Sequence, residues 1–226
     1  LDLKWEFFPS RSELLSATAF YKQINNPINL TQDQGSSGYF KFFNTGDQAD
    51  IIGLELEGRF DLLKNDEDET VLNATANLTK MWFNQDLDAK YQFKGKSESE
   101  LQGASDFIVN GSIGYSNNKE NEFSATLTGN YSSDKIYALG APEDFTNSAT
   151  LYNDEIIEKG FVTLDLVISK QLFKGFTAKL VGKNLLNPAI KQTQLVRNLN
   201  TLIETNETVL SYKKGRQLSL SLNYNF

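Results

Sequence analysis

The 226 residues contain no cysteine and no histidine. Without thiols there is no disulfide framework, no thiolate zinc site and no cysteine nucleophile, and without imidazole there is no histidine general base. Long apolar runs are missing as well, since none approaches the roughly 20 residues that a spanning helix needs. Lys and Arg number 22 against 29 Asp and Glu, for a net charge of −7, and no stretch gathers the cations that neutralise phosphates. Nucleic acid is therefore not an expected partner. Hydrophobic content is only 39%, which still leaves membrane barrels open, because only every second residue of a barrel strand meets lipid. A signal peptide is also lacking: Leu1-Asp-Leu-Lys-Trp-Glu-Phe-Phe8 reads as a strand, so the expectation is a fragment whose N-terminal part lies elsewhere.

What the chain does have is alternation with period two. In its last stretch Leu218, Leu220, Leu222, Tyr224 and Phe226 fall on one face, and Gln217, Ser219, Ser221, Asn223 and Asn225 on the other. An apolar ridge backed by small uncharged polar groups suits a strand between lipid and a wet lumen, although a soluble sandwich strand alternates too.

Nine strand-like segments are expected near 1–8, 13–24, 49–63, 70–83, 105–116, 121–138, 157–171, 176–186 and 208–226. The connections alternate in length. Short ones are 9–12, 64–69, 117–120 and 172–175, and long ones are 25–48, 84–104, 139–156 and 187–207. In an up-and-down sheet the short connections share one end and the long ones the other, the asymmetry of periplasmic turns and extracellular loops. The fold class expected is all-β: a transmembrane antiparallel up-and-down β-barrel in outer-membrane lipid. Nine strands do not close a bacterial single-chain barrel, which uses an even number, so a larger barrel is implied.

Facing is consistent along the strands. Leu54, Leu56, Gly58 and Phe60 alternate with Glu55, Glu57 and Arg59, and Leu72, Ala74, Ala76, Leu78 and Trp82 with Asn73, Thr75, Asn77 and Thr79. Phe123 to Tyr131 and Val162 to Ile168 alternate in the same way. Phe107 and Tyr115 bracket one strand and Phe123 and Tyr131 the next, each pair eight residues apart. Eight tilted strand residues climb roughly 21 Å, near the height of a lipid-facing band between its aromatic girdles. Trp82 and Phe161 are expected in the outer girdle, and Phe7, Phe60, Tyr224 and Phe226 in the inner one.

Four segments carry a resemblance. Ile52-Gly-Leu-Glu-Leu-Glu-Gly-Arg-Phe60, Leu101-Gln-Gly-Ala-Ser-Asp-Phe-Ile-Val-Asn-Gly-Ser-Ile-Gly-Tyr115, Val181-Gly-Lys-Asn-Leu-Leu-Asn-Pro188 and Tyr212-Lys-Lys-Gly-Arg-Gln-Leu-Ser-Leu-Ser-Leu-Asn-Tyr-Asn-Phe226 resemble the C-terminal barrel of TonB-dependent outer-membrane receptors, most like those of Bacteroidota. The resemblance implies that residues 1–226 are the C-terminal portion of a 22-stranded barrel. It also implies a plug domain outside this chain, TonB as a partner through the missing N-terminal part, and uptake of a scarce ligand. It makes Phe226 part of the signal read by the barrel-assembly machinery.

Ligand contacts are expected on the long loops and the outer lumen. Lumen-facing candidates are Lys80, Asn130 and Asp165, and loop candidates are Tyr39, Phe42, Trp82 and Tyr152. A ferric siderophore favours aromatic and cationic residues, whereas a glycan favours aromatic platforms with amides; haem, cobalamin and peptide stay open. No catalytic residue and no cofactor is expected. Asn65-Asp-Glu-Asp-Glu69 is rich in oxygen ligands but lacks the glycine and spacing of a calcium loop, so a solvated turn is the plainer reading. Glu55 and Glu57 imitate a carboxylate pair, but with Arg59 beside them charge balance explains them better. Lys183-Asn-Leu-Leu-Asn187 ahead of Pro188 reads as the start of a loop. A passive porin or export barrel shares this patterning. An outer-membrane enzyme barrel and a soluble β-sheet adhesin are further alternatives.

Overall fold

Period-two alternation gives each segment one apolar and one polar face, and such segments are stable only when paired side by side. The computed structural model describes residues 1–32, 39–117, 122–142, 153–197, 201 and 203–225. Its strands run β1 (Asp2–Phe7), β2 (Leu14–Asn25), β3 (Ile28–Gln32), β4 (Phe40–Asn44), β5 (Gln48–Lys64), β6 (Thr70–Asp86), β7 (Glu98–Ser99) and β8 (Phe107–Asn117). They continue with β9 (Phe123–Ser132), β10 (Lys135–Ala138), β11 (Ile156–Glu158), β12 (Phe161–Phe173), β13 (Phe176–Lys183), β14 (Ile190–Arg197), β15 (Glu204–Tyr212) and β16 (Gln217–Tyr224). The main sheet has the order β1-β2-β5-β6-β8-β9-β12-β13-β16, antiparallel throughout, with β7 beside β6. Each of these nine wall strands falls on one of the nine expected segments.

The short connections all join neighbouring wall strands at one end. Between β12 and β13 the turn is Lys174-Gly175, and Gly175 sits at φ +78, where a Cβ would be strained. It brings Phe173 and Phe176 into a stack with ring centroids 4.7 Å apart. In the acidic turn Asn65 Oδ1 accepts from the backbone N–H of Glu67 at 3.1 Å and of Glu69 at 2.8 Å, and Lys64 pairs with Asp68. Among the described residues no acidic cluster is arranged to hold a metal.

Register turns the alternation into continuous rows across the wall. One apolar row runs Leu56, Leu78, Val109, Tyr131, Val162; another runs Phe60, Ala74, Ile113, Leu127, Leu166, Gly182, Leu218. The opposite face carries Glu57, Asn77, Asn110, Asn130, Thr163, and beside it Arg59, Thr75, Ser112, Thr128, Asp165. Its groups pair within the wall. Asn110 Nδ2 donates to Asn77 Oδ1 at 2.7 Å, and Arg59 donates to Glu57 at 2.8 Å, so this carboxylate is balanced on its own strand. The apolar face faces lipid and the polar face the lumen, since charge at midplane on the outside costs about 2–4 kcal/mol. Aromatic rings meet at both heights: Phe107 with Tyr131 at 6.3 Å, and Tyr115 with Phe123 at 6.0 Å.

The structure corrects several expectations. The segments read as 121–138, 157–171 and 208–226 each cover two strands, because the chain breaks at 133–134, 159–160 and 213–216 and continues in another sheet. The long connections contain strands of their own. β3 and β4 form a hairpin, and β10-β11-β14-β15 form a sheet whose order repeats that of β9-β12-β13-β16 below it. Phe161 has the parity of Thr163 and Asp165 and lines a lumen-side recess, so it does not join the outer girdle. Phe226 lies outside the described residues.

Candidate ligand-facing mouth

The long connections gather at the end opposite the short turns. Residues 26–32 and 39–47 fold back as the paired strands β3 and β4, whose two faces are inverted relative to a surface hairpin. Asn29 and Thr31 are fully buried, while Ile28 and Phe42 on the other face are 66% and 70% exposed. Asn29 Nδ2 donates to Thr45 Oγ1 at 2.6 Å and to Gln85 Oε1 at 2.8 Å. Gln85 shares the face of β6 that carries Asn77 and Thr79, which is the lumen face. The hairpin therefore folds inward across the mouth and turns Phe40 and Phe42 away from the wall, while Phe43 on the buried face packs on Tyr91 at 5.5 Å. A buried amide pair of this kind is stable because each polar group finds a partner.

Its far edge is pinned to β10. Leu139 N–H donates to Leu30 C=O at 2.9 Å, Thr31 Oγ1 donates to Gly140 C=O at 3.1 Å, and the Gln102 amide bridges Leu30 N–H and Tyr137 C=O. Beneath lies a small apolar cluster of Leu87, Phe93, Ile136 and Leu139, with Ile157 against it. Gly140 is required there, because a Cβ would stand 2.3 Å from the Phe93 ring.

Ion pairs join the remaining loops. Lys96 Nζ reaches Asp154 at 2.6 Å and Glu155 at 2.7 Å, and Lys94 Nζ reaches Asp154 and Glu204, each at 3.2 Å. One segment near β7 thus holds the approach to β11 and the start of β15. Burial opposes charge on Asp154, but bonding to Glu155, Lys96 and Lys94 outweighs it and holds the carboxyl well below its usual range. Burial pushes Glu155 up, and its neighbour Asp154 adds to that. Burial also opposes charge on Lys96, yet its two carboxylate partners raise it above its ordinary value.

The sign of each effect follows from these directions. Asp154 contributes stability above about pH 4, its unfolded value, and loses it as pH falls through the depressed folded value. Glu155 acts oppositely, stabilising below its unfolded value and losing this as pH rises through the raised one. Hydrogen exchange of residues 87–106, corrected for intrinsic rate, is expected to show protection lost in strong acid. Asp154→Asn should lower protection at neutral pH and flatten the acid transition; an unchanged transition would contradict this assignment.

The six sequence candidates among the described residues are spread over the hairpin, the lumen face and the lipid face. Tyr39 and Phe42 lie on the exposed, inward hairpin, at 67% and 70% exposure. Asn130 faces the lumen and donates to Thr163 Oγ1 at 3.3 Å. Asp165 faces the lumen too, and its Oδ1 accepts from Asn184 N–H at 2.8 Å. Lys80 is not on the lumen face, and Trp82 takes the outer-girdle position expected of it and not the loop position. Both have even parity in β6, which puts them with Leu78 on the lipid face, and Trp82 belongs to a strand and not to a loop. Lys80 is tolerable there because it lies at the outer rim, pairs with Asp106 and rests 5.8 Å from the Trp82 ring. Tyr152 lies outside the described residues. The sequence reading missed Phe93, Gln102 and the Lys94–Lys96–Asp154 group; the side-chain partners of Gln102, Lys94 and Lys96 are 35 to 110 residues away.

A wall with a lipid face, a polar lumen face and a layered outer mouth narrows the possibilities to a family. TonB dependent receptor-like β-barrels match residues 1–185. The chain belongs to this family. Its location is accordingly the bacterial outer membrane, where barrels of TonB-dependent receptors reside. No curated protein matches the chain. Among solved structures it is similar to the FrpB iron transporter from Neisseria meningitidis, with a TM-score of 0.58 and 14% identity over 100% of this chain and 30% of that one. It is similar to the ferric yersiniabactin uptake receptor FyuA from Yersinia pestis, with a TM-score of 0.59, 14% identity and the same two coverages. It is also similar to the copper transporter OprC, with a TM-score of 0.61 and 14% identity over 100% of this chain and 30% of that one. At this identity the likeness concerns the TonB-dependent receptor fold, and the chain spans under a third of each neighbour's length.

Proposed function

We propose that residues 1–226 are the C-terminal part of an outer-membrane receptor for energised uptake of a scarce ligand. In this reading a plug domain fills the lumen and TonB delivers energy through an N-terminal part of the receptor, as family membership implies. The barrel-assembly machinery would read the end of the chain at Phe226. The observation that carries the reading is the mouth: four long connections tied into one layer, with a hairpin folded inward over a polar wall and presenting Tyr39 and Phe42. Such a mouth suits capture of a molecule before transport. Neighbours described as iron, ferric yersiniabactin and copper transporters favour a metal-containing ligand over a glycan, haem, cobalamin or peptide. No catalytic role is proposed.

The test is uptake of a labelled ferric siderophore panel by cells carrying the full-length protein, with TonB present or deleted. Accumulation that requires both the receptor and TonB is expected. Accumulation independent of TonB would favour a passive porin or export barrel instead.

A further inference from the structure

The motif Val181-Gly-Lys-Asn-Leu-Leu-Asn-Pro188 builds more than the start of a loop. Asn184 and Asn187 both take positive φ, 54 and 47, and the tight turn they make is locked to the neighbouring connection. Asn184 Nδ2 donates to Gly215 C=O at 2.6 Å, Gly215 N–H donates to Asn187 Oδ1 at 3.0 Å, and Arg216 Nε donates to Leu185 C=O at 2.7 Å. Beside this double turn, on the lumen side of β12, β13 and β16, lies a recess of about 350 Å³. Three cations line it, Lys183, Lys214 and Arg216, against one carboxylate, Asp165. That carboxylate is already engaged by the Asn184 N–H, and none of the three cations has an acidic partner within ion-pair distance among the described residues. Phe161 and the buried Ile190 supply apolar surface in the same recess.

Unpaired cations gathered in a concave site repel one another and concentrate an opposite charge. A volume of this size is that of a small-molecule site, and a ring surface beside a cationic rim selects molecules with both characters. We propose that this recess is an anion-binding subsite of the outer lumen, taking a small molecule that carries a carboxylate- or phosphate-type anion next to a planar apolar group. The proposal deepens the uptake reading and rests on it for its place in transport, but the binding itself is independent of TonB.

The experiment uses the full-length receptor in detergent and titrates phenyl phosphate by calorimetry, with inorganic phosphate and benzyl alcohol as probes lacking the ring or the charge. Phenyl phosphate is expected to bind saturably and more weakly at high salt, with inorganic phosphate weaker and benzyl alcohol not binding. Lys183→Gln and Lys214→Gln should each weaken phenyl phosphate about tenfold, the loss of one charge-assisted contact. Thr163→Glu, which adds a carboxylate and leaves the lysines in place, should do the same. Phe161→Ala should weaken phenyl phosphate and leave inorganic phosphate unchanged. Arg216 is left intact because it holds the turn. Absence of saturable binding to the wild type, or equal binding by wild type and all three charge variants, overturns the proposal. TonB-dependent uptake alongside either result would leave the receptor reading standing, whereas anion binding without TonB-dependent uptake would sustain the recess and sink that reading.

Discussion

Arginine at position 127 or 166 is expected to prevent the barrel from assembling in the membrane. Leu127 and Leu166 are direct partners in an apolar row that runs through Ile113 and Gly182. Each points to lipid midway between the aromatic rings at Tyr131 and Phe123, where a guanidinium costs about 2–4 kcal/mol, a factor of roughly 30 to 1,000 in the insertion equilibrium. Thr126, one residue away, pairs with Gly114 and Val167 on the lumen face. Thr126→Arg should therefore assemble normally. The readout is heat-modifiable mobility of the full-length protein in outer-membrane fractions. Equal loss or equal tolerance at all three positions would refute the facing.

Phe93→Ala is expected to loosen the mouth without touching the membrane wall. Phe93 is fully buried in the cluster with Leu87, Ile136 and Leu139, and Gly140 presses against its ring. Removing a buried phenyl ring costs about 3–5 kcal/mol. That cost falls on a layer tied together by a few hydrogen bonds and ion pairs, so it should appear as local opening. Hydrogen exchange should rise across residues 87–106 and 136–140 while exchange in β5, β6 and β8 stays protected. A fall in protection of the wall strands to the same degree would mean that mouth and wall unfold as one unit.

The two expectations separate what was legible in the sequence from what was not. In the wall, lipid enforces the period-two pattern, so Leu54 to Phe60 and Phe123 to Tyr131 announce both strand and face. The same parity places Lys80 on the lipid side, although a charge near a loop looks like a ligand contact, and it keeps Trp82 in the girdle position that the strand pattern announces. In the mouth, no solvent boundary imposes a pattern. Asn29 and Thr31 look like solvent-exposed positions, yet their partners are Thr45, Gln85 and Gly140, and such distant pairing leaves no local trace. Short strands such as β7, β10 and β11 are held by register with neighbours more than by their own residues, which is why they were absorbed into loops or into longer strands. The double turn at Asn184 and Asn187 was recognised as a boundary, but its lock to Gly215 and Arg216 depends on two connections lying side by side.

The interruption between the two stacked sheets falls at one level. The last rungs of the wall are Ser132 with Phe161 and Lys183 with Gln217; the first rungs above are Lys135 with Glu158 and Ile190 with Tyr212. Four strands break their ladder along the same line, patched by Asp134 accepting from the Gly160 N–H at 2.7 Å and by the Asn184–Gly215 lock. Ladder hydrogen bonds resist bending, and along this line they are sparse. The line is thus a seam in the ladder, and what positions the panel above it over the lumen is its lateral ties: Leu139 to Leu30, Gln102 to Tyr137, and Lys94 and Lys96 to Asp154.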